Sequence, residues 1–112
     1  MKEGKNQRVI ERYIDAVNEN NGDRILSFFA EDTVFENMPD QALVGQQAIW
    51  KAMELYHKQA QQVDWAVDCL EEKSSGRVQT EGRVRYLLEG NWVHFEVNGV
   101  FEIKGSKIVH WH

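Results

Sequence analysis

The chain has 112 residues, 42% of them hydrophobic and 28% charged, which fits one soluble globular domain spanning 1–112. Thirteen Lys and Arg against eighteen Asp and Glu leave a net charge of −5, too acidic for a phosphate-backbone binder, so nucleic acid is excluded as a partner. The lone Cys69 excludes an intrachain disulfide and a Cys-based zinc site. With no apolar run near the roughly 18 residues of a membrane span and a polar start, no membrane association is expected and a cytoplasmic location is.

Val9, Ile10, Tyr13, Ile14 and Val17 recur at helical spacing and predict an amphipathic helix over 5–20, ended by Asn20-Asn21-Gly22. Asp23 is placed to cap a second short helix carrying Ile25, Leu26, Phe28 and Phe29. Thr33 to Asn37 is β-branched and aromatic and reads as a short strand, with Pro39 in the loop beyond. A third helix follows Gly45, carries Ile49, Trp50, Met53 and Tyr56, and ends near Ala60.

The rest alternates. Val63, Trp65, Val67 and Cys69 share one strand face. Ser74-Ser75-Gly76 turns the chain, after which Val78, Thr80, Val84 and Tyr86 face one way and Arg77, Gln79, Glu81, Arg83 and Arg85 the other. Glu89-Gly90-Asn91 makes the next turn, and Val93, Phe95 and Val97 oppose Trp92, His94 and Glu96. Asn98-Gly99 is the expected place for a bulge, and Lys104-Gly105-Ser106 leads into a last strand over 107–112. Helices followed by an antiparallel meander predict an α+β fold, three helices covering the apolar face of one sheet.

This order resembles the cone-shaped nuclear-transport-factor-2-like fold, whose sheet is curved and mostly antiparallel. The run Phe28 to Pro39, followed by Gly45-Gln46-Gln47-Ala48-Ile49, resembles the limonene-epoxide-hydrolase family. Tyr13 to Val17, Thr80-Glu81, Gly99 to Ile103 and Gly105 to Trp111 fit the same family, and the likeness extends to SnoaL-like polyketide cyclases and ketosteroid isomerases. The resemblance implies a homodimer with a pocket inside the cone. In such hydrolases a Tyr, an Asn and an Asp hold the attacking water, an Arg links that Asp to a second one, and the second Asp protonates the epoxide. Asn37 matches the Asn; Phe35 stands where the Tyr belongs; the Arg and first Asp fall, ungapped, on Gly82 and Val84; the second Asp would follow Trp111 by two residues. Against the isomerases, Tyr13 matches the Tyr that donates to the oxyanion, but their base falls on Asn37 and their protonated Asp near Gly99.

The expected pocket wall takes Tyr13 and Ile14 from the first helix, Phe35 and Asn37 from the first strand, and Met53 and Tyr56 from the third helix. The meander adds Trp65, Val84, Tyr86, Phe95, Val97 and Trp111. An apolar wall with a few polar tips suits a hydrophobic small molecule, and equally a filled core. Tyr13 and Asn37 are the candidate catalytic side chains, each able instead to satisfy a neighbouring loop. His110 and His112 share a strand face, where His94 and Glu96 could join them as metal ligands; a polar outer face is the plainer reading, and no metal or other cofactor is expected. Glu31, Asp32, Glu36, Asp64 and Asp68 all read as solvated, so no inward pair of carboxylates is found, and Cys69 reads as core. The function expected is binding of a small hydrophobic molecule with an incomplete catalytic set. The alternatives are an epoxide hydrolase, cyclase or isomerase acting without a metal, and a dimeric scaffold using its outer sheet face.

Overall fold

The computed structural model describes residues 4–36, 41–74 and 76–112. Three helical segments and six strands follow in the order α1 (Lys5–Asn18), α2 (Gly22–Leu26), β1 (Phe29–Phe35), β2 (Leu43–Val44), α3 (Gln46–His57), β3 (Gln62–Ser74), β4 (Arg77–Leu88), β5 (Asn91–Lys104) and β6 (Lys107–Trp111). The strands form one sheet ordered β2-β1-β6-β5-β4-β3. Every pairing is antiparallel except β1 with β6, which is parallel. This is the expected α+β architecture, a curved, mostly antiparallel sheet with the helices on its apolar face.

Local chemistry sets the element ends. Helix α1 buries Val9, Ile10, Tyr13, Ile14, Ala16 and Val17 and stops at Asn18, two residues short of expectation, because Asn20 turns left-handed at φ 55°. Asn21, not Asp23, caps α2, its side chain accepting from the Arg24 backbone N–H. That helix ends at Leu26, so Phe29 opens β1 four residues earlier than the β-branched run suggested. Gly45 begins α3 at φ 95°, with Glu31's carbonyl only 3.0 Å from where a Cβ would stand, so both conformation and space require glycine there. Strand β2 was not expected; two residues pairing with Val34 and Phe35 carry too little pattern to read. Asn37, which the sequence puts at the end of the first strand, Pro39 of the loop expected beyond it, and Ser75 of the expected turn lie outside the described residues.

Two parity readings are corrected. The β3–β4 register shifts between Val67 and Cys69, so Cys69 is exposed and Leu70 turns toward the core in its place. The β4–β5 ladder runs unbroken through Asn98 and Gly99; the irregularity of β5 lies at Glu102–Ile103, on its β6 side.

Strand β1 is anchored through Thr33, which is fully buried. Its hydroxyl donates to the Ile108 carbonyl of β6 and accepts from the Ala30 N–H at 2.7 Å. This side chain bridges the register shift between Phe29 and Val34 that interrupts the parallel ladder. Thr33→Val keeps the shape but strands a buried donor and a buried acceptor. It is expected to cost about 1–3 kcal/mol in urea unfolding; an unchanged midpoint would show that water replaces the hydroxyl.

Candidate ligand cavity

The register places Trp65, Val84 and Phe95 on one rung across β3, β4 and β5, with Val63, Tyr86 and Val93 on the rung beside it. Alternation turns these residues to the helical face. Helix α3 crosses above them with Ala52, Met53 and Tyr56, Val17 reaches in from α1, and Phe35 and Trp111 close the β1–β6 side. Together with Val97 they enclose a cavity of about 410 Å³. Glu36, Glu96, Asn98 and His112 supply most of its polar edge. The cavity opens to water, since Phe95 is 38% exposed, a large apolar surface for a residue on this face.

Nine of the twelve residues expected on a pocket wall therefore line one cavity: Phe35, Met53, Tyr56, Trp65, Val84, Tyr86, Phe95, Val97 and Trp111. Asn37 falls outside the described residues. Tyr13 and Ile14 are corrections: both are buried and neither lines the cavity. Tyr13 is instead the hub of the aromatic core. Phe28, Phe29, Trp65, Phe101 and Trp111 all meet its ring edge-on at 5.5–6.0 Å. Being central to the helix's apolar stripe, it is drawn beneath the wall. Its hydroxyl has no partner among the described residues, and burial first, then the Tyr86 hydroxyl, pushes its pKa well above the ordinary value.

Sequence reasoning passed over His57, which is 3% exposed at the end of α3. Its Nδ1 lies 2.7 Å from Asn20 Oδ1 and its Nε2 3.4 Å from the Tyr86 hydroxyl. Burial lowers the imidazole pKa to about 4. The Tyr86 hydroxyl is raised to about 12, by burial and then by Tyr56, whose ring stacks on it at 5.1 Å. The signal was present in the chain, since Trp50, Met53 and His57 stand at helical spacing on one face.

A second cluster occupies the opposite sheet face. His110 lies between Glu36, 2.6 Å from Nε2, and Glu102, 3.1 Å from Nδ1. Arg77 also reaches Glu102, at 3.4 Å. Burial pushes the Glu102 carboxyl up, but His110 and Arg77 outweigh it and hold the group below the usual range. Donor atoms of Glu102, His110 and His112 lie within 4.8 Å of one another, so these three, rather than His94 and Glu96, could hold a metal ion. His94 and Glu96 pair instead with Arg85 and Arg83 of β4, far along the strand.

The model of the SnoaL-like domain family matches residues 10–111. The chain belongs to this family. Solved structures share the fold of this SnoaL-like protein at low identity. A limonene-epoxide-hydrolase-like epoxide hydrolase of Mycobacterium tuberculosis is 20% identical, with TM-score 0.79, over 93% of this chain and 77% of its own. A SnoaL-like polyketide cyclase, so described, of Shewanella denitrificans is 15% identical, with TM-score 0.76, over 95% and 86%. A Catenulispora acidiphila protein with a ketosteroid-isomerase-like fold, solved with trimethylamine, is 12% identical, with TM-score 0.76, over 92% and 81%. In this SnoaL-like protein, the positions where the resemblance puts the hydrolase's polar set carry Phe35 on the cavity wall and Gly82 and Val84 on the inner face. Among the described residues the buried polar side chains are Thr33, His57 and Thr80; no Asp or Glu is buried. No helix of the described residues is long and apolar enough to cross a membrane.

Proposed function

We propose that this SnoaL-like protein binds a small hydrophobic molecule and lacks the set that opens epoxides in its hydrolase relatives. One observation carries the reading: the conical fold leaves about 410 Å³ open between α3 and the sheet, walled by six aromatic side chains. Ligand cavities generally run from about 300 to 1,000 Å³ and are mostly apolar with a few polar groups. Phe35, Gly82 and Val84 stand where the resemblance puts the hydrolase's Tyr, Arg and first Asp, and no Asp or Glu among the described residues is buried, which supports binding over epoxide opening.

Native mass spectrometry of the purified chain soaked with a terpene epoxide or an aromatic ketone tests this. An adduct is expected that disappears on denaturation. Val97→Trp, which fills the cavity from a half-buried position, is expected to weaken that adduct by about tenfold or more while leaving the melting temperature within a few degrees. Failure of every probe to bind, or equal binding by the filled variant, overturns the reading. The same spectra report whether the chain forms the homodimer its resemblance implies.

A further inference from the structure

The hydrogen-bond roles at one wall of the cavity are fixed by a chain of constraints that begins at Asn20. The Asn20 amide donates from Nδ2 to the His57 carbonyl oxygen at 2.7 Å. A carbonyl can only accept, so the amide cannot be turned round. Its Oδ1 is therefore the atom that faces the imidazole Nδ1, and Oδ1 in turn can only accept. The proton of the imidazole is on Nδ1. Burial keeps the ring neutral at pH 7. Nε2 is then a bare lone pair, 3.4 Å from Tyr86 Oη, and the Tyr86 O–H points at it. Tyr86 lines the cavity with its hydrogen already committed, so its oxygen is left as an acceptor.

Trp65 adds aromatic surface beside it. Cross-strand register makes it the diagonal neighbour of Tyr86 on the same face, and it also lines the cavity. Its indole N–H is buried and has no partner among the described residues. With no accessible surface, that N–H is closed to a molecule in the cavity, and Trp65 contributes its ring face. Tyr56, stacked on Tyr86, and Phe95, edge-on to both, hold the phenol in place and present aromatic surface beside its oxygen.

We infer that the cavity selects hydrophobic ring compounds carrying a free hydroxyl, which donates to Tyr86 Oη. The inference rests on the cavity being a ligand site and names the class it takes. His57 and Asn20 act as positioning residues, holding the Tyr86 hydroxyl in its accepting orientation.

Binding of 2-naphthol, 2-methoxynaphthalene and naphthalene to the full chain, followed by Trp fluorescence, tests it. 2-Naphthol is expected to bind at least about fivefold more tightly than its methyl ether. Tyr86→Phe is expected to reduce that ratio to within about twofold. Long-range proton–nitrogen NMR is expected to find the His57 proton on Nδ1. A proton on Nε2, or a methyl ether that binds as well as the free hydroxyl, overturns the inference while leaving the cavity reading intact. Binding by none of the three overturns the cavity reading and this one with it.

Discussion

Gly82→Ala is expected to lower stability by about 2–4 kcal/mol in urea unfolding, the largest effect of any single methyl addition to this sheet. A Cβ at Gly82 would stand 2.2 Å from the Ala66 carbonyl oxygen and 2.9 Å from Val67 Cα. Both are backbone atoms of β3, so no rotamer change relieves the clash. The cause is the register shift between Val67 and Cys69, which draws β3 over the β4 position that Gly82 occupies. Position 82 is also where the resemblance places the hydrolase's Arg. An inward side chain is excluded there by the backbone, so Gly82→Arg is expected to unfold the strand pair before it can restore any chemistry. Wild-type stability in Gly82→Ala would show that the bulge yields, and would reopen that position to a functional side chain.

Acidification is expected to remove up to about 3 kcal/mol of stability through His57 alone. In the unfolded chain an imidazole titrates near 6.5; in the fold burial holds this one at about 4. Between those values the unfolded chain takes the proton and the folded chain refuses it. The contribution is therefore fully present above pH 6.5, falls as pH drops, and levels off below about pH 4. The groups in contact with the ring are Asn20, Trp50 and Tyr86, none of them a carboxylate able to stabilise an imidazolium. Urea unfolding of the wild type and of His57→Gln at pH 7.5 and 4.5 isolates the effect. The variant is expected to lose less stability than the wild type across that interval, and equal losses would assign acid sensitivity to other groups.

Elements with a long, clean period were the legible ones. The alternation Val78, Thr80, Val84, Tyr86 placed β4 on the correct face, and with it two residues of the cavity wall. Reading failed where a single extra residue changes phase. Cys69 continues the alternation of Val63, Trp65 and Val67 in the sequence, yet the bulge turns it to solvent. Tyr13 and Ile14 read as wall residues because they are apolar and inward, but inwardness does not separate a wall from the layer beneath it. That distinction depends on how close α1 sits to the sheet, which Tyr13's five ring contacts settle and periodicity does not. His57 went unread for a related reason. One histidine ending a helix has no partner nearby in sequence; Asn20 lies 37 residues before it and Tyr86 29 after. The outer cluster was half legible: His110 and His112 share a face as their spacing says, but β6 pairs with the far end of β5, so Glu102 and not His94 is their neighbour.

The parallel union of β1 with β6 also governs how this molecule can be made. Phe29 pairs with Ile108 and Phe35 with Trp111, so the strand following the first helices finds its parallel partner far along the chain, beyond the whole β3–β5 meander. Until the two meet, the apolar stripe of α1 and the Tyr13 ring lack much of the surface they cover in the finished fold. Such long-range closure is slow, and the waiting chain exposes hydrophobic surface. Closure of β1 on β6 is consequently the step expected to limit folding, and a substitution that weakens that pairing is expected to slow folding more than one confined to the β3–β4 hairpin.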